Sequence, residues 1–228
     1  MSVESETAGA HAAAAPAAPA APVANPALMG LICFLPSGWT LALWFLGVLD
    51  TTNLPGGMIP IVTISAGLFL LISAVSALRV GDSVTAAIFG LFSAFWISFG
   101  ALLFLLQNGL IVNAGATDPS QTALTTAQIG QIQSVYLLSF TVTFIILTLA
   151  TLRLPLAFTA GFVFVDITFV LAYIGVTAGA AGLFPIAGIT TIIFCLIFTY
   201  IAYDAFNQTL GAKTVSYTHL RAHETLRY

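Results

Sequence analysis

The sequence predicts an all-α membrane protein: six transmembrane helices, with N- and C-termini cytoplasmic. Three observations carry this expectation. Hydrophobic residues make up 59% of the 228-residue chain and charged residues only 6%, where soluble domains run near about a quarter charged. The mean hydropathy is +1.06, too high for a surface facing water, so the solvent must be lipid. Six apolar runs of spanning length follow one another without the alternation of barrel strands. Backbone satisfaction inside lipid then makes them helices.

Residues 1–24 are rich in Ala and Pro, with Glu4 and Glu6, and read as a disordered or polyproline-like leader. They hold no Lys or Arg and no continuous apolar core, so they do not read as a secretory signal. Helix 1 is expected over 27–49, opened by Asn25-Pro26 as N-cap and first-turn proline. Pro55-Gly56-Gly57 turns the chain into helix 2, over 59–79. Gly81-Asp82-Ser83 ends that helix and caps helix 3, over 83–106. A long loop, 107–128, contains Asp118-Pro119 and ends in Thr125 and Gln128, spaced as a capping box for helix 4, over 129–152. Pro155 opens helix 5, over 155–178, and Gly179 to Gly182 separates it from helix 6, over 184–206. Each run has about 20 or more residues, enough to cross about 30 Å of hydrocarbon.

The helices form one transmembrane domain, 25–215. Residues 216–228 (SYTHLRAHETLRY) change character sharply and are expected to be a non-native or disordered tail. His219 and His223 lie there and are set aside as metal candidates, although their spacing suits one helix face. Outside the tail, the only Lys or Arg residues are Arg79, Arg153 and Lys213, after helices 2, 4 and 6. An excess of cations marks the cytoplasm, so both termini are expected inside and the 107–128 loop outside. No basic cluster suggests nucleic acid. Cys33 and Cys195 sit in separate apolar runs and read as small core residues. No GxxxxGK[ST], HExxH, CxxC or GxSxG motif is present. The expectation is therefore neither an enzyme nor a cofactor or metal protein.

Asp166 is the one ionisable residue near the middle of a span. A carboxylate there is expensive unless protonated, paired or hydrated. It is the proton-coupling candidate; the plainer reading is a neutral acid bonded to Thr168 or Tyr173. Asp204, near the end of helix 6, is expected to be solvated, and Asp50 and Asp82 to cap or face water. Tyr136, Ser139 and Thr143 fall on one face of helix 4. They could bind a small polar solute or serve ordinary interhelical hydrogen bonds. Asn25 opens helix 1, where free N–H groups can attract a carboxylate or the side chain can simply cap. Ala86, Gly90, Ala94 and Ser98 form a small-residue stripe on helix 3, suited to contact within the protomer or between protomers.

Asn25-Pro26-Ala27-Leu28-Met29-Gly30-Leu31 resembles the NPAPLGL motif of the acetate uptake transporter family, also called succinate–acetate permeases. It departs at Leu28 and Met29, where the motif reads Pro-Leu. Gly81 through Phe95-Trp96, Val135-Tyr136-Leu137 and Gly211 to Val215 are also similar to this family. The resemblance implies six helices, cytoplasmic termini and a hexameric ring with one pore per protomer. It implies passage of acetate and other small carboxylates, with protons. It also implies a pore constriction at Phe34, Phe92 and Val165, where Phe92 stands for a tyrosine of some members and Val165 for a leucine. The expected location is a cell inner membrane, as a multi-pass protein amid lipid. Two alternatives stay open: a channel for another small solute (formate, ammonia, water) and a membrane scaffold without transport.

Overall fold

The computed structural model describes residues 24–50 and 54–213. The expected leader, apart from Ala24, and the tail with His219 and His223 lie outside them. Among the described residues, six helical spans are long and apolar enough to cross a membrane.

The first span, α1 (Pro26–Phe45), starts where expected: Asn25 Oδ1 accepts the Ala27 N–H at 2.9 Å. It ends at Phe45 rather than at 49. Gly47 takes a φ of +76°, Gly47 N–H bonds to Trp44 O and Val48 N–H to Leu43 O. This is a Schellman turn, and its left-handed residue is most easily a glycine. The apolar run continues to Leu49, so hydropathy alone hides the stop.

The second span, Gly56–Arg79, is not the single regular helix expected over 59–79. A 3₁₀ turn (Pro55–Met58) leads to a π-helical segment (Ile61–Leu68), and only then to α2 (Phe69–Arg79). Wide turns of this kind occur where side chains enter the backbone ladder. Here Ser37 reaches the segment from α1 and Ser93 from the following helix.

That helix, α3 (Ser83–Gln107), is capped by Asp82, whose carboxylate accepts both the N–H and the hydroxyl of Thr85. The capping box before α4 (Thr126–Thr151) is borne out: Thr125 Oγ1 accepts the Gln128 N–H at 3.3 Å, and Gln128 Oε1 accepts the Thr125 N–H at 2.9 Å. The bundle is completed by α5 (Leu156–Thr177) and α6 (Leu183–Thr209).

Helix backbones meet closely along α1–α6, α6–α5, α5–α4, α1–α2 and α2–α3, whereas α3 and α4 barely approach each other. Aromatic rings fill that last seam. Phe92 meets Phe144 at 4.8 Å between ring centroids, and Phe95 meets Phe140 at 5.3 Å. Across α1–α6 the contact is backbone-tight: a Cβ on Gly188 would stand 2.8 Å from Leu46 Cγ and 3.1 Å from Ala42 O. The stripe expected on α3 is split: Ala86 is buried and Ser98 lies 3.1 Å from the Tyr136 hydroxyl of α4, but the middle of the stripe faces outward. A Cβ on Gly90 meets nothing within 4 Å, and Ala94 is exposed. Ser93 and Gly100, on a neighbouring face, touch the second span instead.

Gly188→Val should therefore destabilise the bundle by about 1–3 kcal/mol, while Gly90→Ala should stay within about 0.5 kcal/mol of the parent. Thermal melting of the protein in detergent, followed by tryptophan fluorescence, separates the two.

Candidate functional site

Successive spans alternate in direction, so α1, α3 and α5 run parallel. Phe34, Phe92 and Val165 sit at matching depth on these helices, and all are buried in the shared core. Phe34 and Phe92 meet edge to face at 5.5 Å. Phe34 also meets Phe198 of α6 at 5.6 Å, and Phe92 meets Phe162 of α5 at 5.7 Å.

Cavities lie on either side of this layer. Toward the start of α1, a small one of about 20 Å³ is lined by Leu31, Phe34, Phe89, Phe92, Phe158 and Phe162, among others, all apolar. Toward the end of α1, a larger one of about 130 Å³ is lined by Leu41, Trp44, Phe95, Phe99, Thr168 and Phe169, with Gln133 and Tyr136 from α4. Along α1 the linings step from Leu31 and Phe34 to Leu41, along α3 from Phe92 to Phe95, and along α5 from Phe162 to Thr168. Val165 falls in the α5 gap. The larger cavity shares Trp44, Phe45 and Phe184 with a third, of about 310 Å³, between the end of α1 and the start of α6. No Lys, Arg, His, Asp or Glu is among the described residues that line any of the three.

The polar groups at the larger cavity are mostly satisfied. Tyr136 donates its hydroxyl to Phe95 O at 2.9 Å and lies 3.1 Å from Ser98 Oγ. Thr168 and Thr190 pair their hydroxyls at 2.7 Å. The Trp44 indole N–H is buried and has no acceptor. It is a donor that water or a carboxylate oxygen could use.

The structure brings Tyr136 to this cavity but separates it from its helix-4 companions. Ser139 and Thr143 are exposed, and each turns its hydroxyl back on its own helix, to Val135 O and Ser139 O. Both replace water with a backbone acceptor, as hydroxyls in lipid do. Asn25 is exposed, spends its side-chain oxygen on capping α1, and lines none of the cavities.

Asp166 adjoins Val165 in sequence but points away from the cavities, to α4. Its partner is Thr148, not the Thr168 or Tyr173 expected, and its Oδ1 is buried without a hydrogen bond. Thr168 is engaged with Phe164 O and Thr190 instead. Asp204 is also corrected: it is not solvated but buried at 3% exposure, and accepts from Gln208 Nε2 at 2.8 Å. Cys33 and Cys195 are free, as expected. Sequence reasoning missed Phe144, Phe162 and Phe198. Phe158-Phe162-Phe169 and Phe194-Phe198 repeat at helical spacing, which was the available signal.

The family model described as the GPR1/FUN34/yaaH family matches residues 8–224. The chain belongs to this family. The resemblance read from Asn25 to Leu31 is thereby borne out. None of the curated proteins compared matches the chain. A solved structure described as that of the bacterial acetate channel SatP superposes with a TM-score of 0.71 at 23% identity, covering 86% of this chain and 99% of that one. The two share a fold, and this member of the family is a multi-pass membrane protein.

Tyr136→Phe removes the bond that ties α4 to α3 across the seam. It should cost about 0.5–1.5 kcal/mol, read as a lowered melting temperature, while Ser139→Ala, which removes only a bond within its own helix, should leave the melt unchanged.

Proposed function

We propose that the chain conducts acetate and similar short carboxylates across the membrane, with Phe34, Phe92 and Val165 as the neck of the path. The observation that carries the reading is the apolar layer between cavities that hold no charged group. A permanent anion there would find no countercharge. Acetic acid has a pKa near the model carboxyl range, about 4–4.5, so the solute crosses as the neutral acid or together with a proton. An aromatic and aliphatic neck favours small, part-apolar solutes and rejects hydrated ions through desolvation. Family membership supports transport, and the shared fold with a channel described for acetate supports the solute class.

The finer parts of this reading follow from the same grounds. Asp166, beside the neck with one buried oxygen unpartnered, is the group that exchanges the coupled proton. Trp44 supplies a free donor in the larger cavity and Tyr136 lines its wall; this cavity faces outward if the cationic ends of α2, α4 and α6 mark the cytoplasm of a cell inner membrane. The exposed faces, Gly90 and Ala94 of α3 among them, serve a homo-oligomer, a hexamer by family resemblance. Ser139 and Thr143 belong to those outer faces and Asn25 to the mouth.

Uptake of labelled acetate into proteoliposomes containing the full chain tests this. Uptake should saturate, rise with an inward proton gradient and fall in Asp166→Asn. Phe34→Ala and Val165→Ala should each raise the uptake of propionate relative to acetate by about tenfold. Competition by formate, ammonia or water flux without acetate uptake would move the assignment to another small solute. No flux from folded protein would favour a scaffold.

A further inference from the structure

Ser37 lies within one helical turn of Phe34 and is fully buried, at 0% exposure. Its hydroxyl donates to Ile61 O at 3.0 Å and accepts the Ala66 N–H at 3.1 Å. Ile61 and Ala66 are the two ends of one π-helical turn, whose bonds run from i to i−5. The hydroxyl of α1 therefore sits inside that turn and serves both of its ends. A second bond runs the opposite way: Ser65 Oγ of the π segment donates to Cys33 O at 2.7 Å. Together the two stitch α1 to the π segment at Cys33 and at Ser37, on either side of Phe34. Pro36 lies in the same stretch and leaves α1 without one of its own ladder bonds.

The far side of the same segment holds α3. Gly67 O accepts the Ser93 hydroxyl at 2.7 Å, and a Cβ on Gly67 would lie 2.7 Å from Ile97 Cγ1. Ser93 follows Phe92 in sequence. One wide turn thus registers both helices that carry the ring pair of the neck.

We propose that Ser37 is a positioning residue: it holds the Ile61–Leu68 turn in its π-helical form and so fixes Phe34 against Phe92 and sets the width of the neck. The inference rests on the reading of Phe34 as part of a size-selecting neck. Without the hydroxyl, the Ala66 N–H is left to take the α-helical acceptor, Val62 O, and the extra residue of the wide turn is expelled. That rotates the chain on one side by about 100°, carrying Gly67 away from Ser93 and freeing Phe34 from its stitched register.

The test is a double-mutant cycle on the full chain in proteoliposomes, reading the propionate-to-acetate uptake ratio. Ser37→Ala should shift the ratio by about fivefold in the parent background and leave it unchanged in the Phe34→Ala background. Ser76→Ala, at a half-buried serine of α2 bonded to Ile72 O, should leave it unchanged in both. Amide exchange at 61–68 should rise in Ser37→Ala. Should Ser37→Ala not fold, Ser65→Ala replaces it in the same cycle, with the same expected shift. An unchanged ratio, or an equal shift in both backgrounds, overturns the positioning role while an effect of Phe34→Ala keeps the neck. A Phe34→Ala protein with the parent ratio overturns the neck reading itself, and this inference with it.

Discussion

Phe34 and Phe92 meet edge to face with their centroids 5.5 Å apart, and this contact joins α1 to α3 through the middle of the bundle. Lipid offers no hydrophobic force between helices, so close packing must hold them together. Where α1 meets α6, small residues let backbones do this. Where α3 faces α4, the backbones stay apart and rings span the gap, each good aromatic pair adding about 0.5–1.5 kcal/mol beyond the area it buries. The rings that close the bundle are also the ones that separate its cavities. Stability and the barrier to polar solutes therefore share one set of side chains, and Phe198, which touches Phe34, Phe92 and Phe162, belongs to both.

A second constraint is that no backbone polar group inside lipid can turn to water. The second span departs from α-helical bonding, and serines from both neighbouring helices meet the groups so released. Ser37, Ser65 and Ser93 all bond backbone atoms across a helix boundary. Most other hydroxyls in the spans return to a carbonyl of their own helix, as Thr143 and Thr199 do. The cross-helix serines cluster beside the aromatic layer, which places the least regular backbone next to the narrowest part of the candidate path.

Charge is arranged by its scarcity. The acids that enter the spans, Asp166 and Asp204, each meet a polar side chain, Thr148 or Gln208, and neither lines a cavity. The cavities themselves are walled by rings and aliphatic chains with a few hydroxyl, amide and indole groups. Such walls suit a solute that is small and carries no net charge while it crosses, and Asp166 lies one residue from that passage without facing it.

Several features of this protein followed from the sequence alone: the six spans, the caps at Asn25, Asp82 and Thr125, and the family that Asn25 to Leu31 resembles. These depend on hydropathy over about 20 residues and on local hydrogen bonds within a few positions, both of which a linear chain displays. The break at Gly47 was hidden because the apolar run continues beyond it. The π-helical turn was invisible because it depends on Ser37, which lies far away in sequence. The direction of Asp166 toward Thr148, the burial of Asp204 and the outward placing of Ser139 and Thr143 were decided by which helices are neighbours, and a period of 3.6 residues gives each helix a face without saying what it faces. Tertiary structure alone chose the rings of α4, α5 and α6 that complete the aromatic layer, because rings from separate helices meet only when the backbones that carry them are packed.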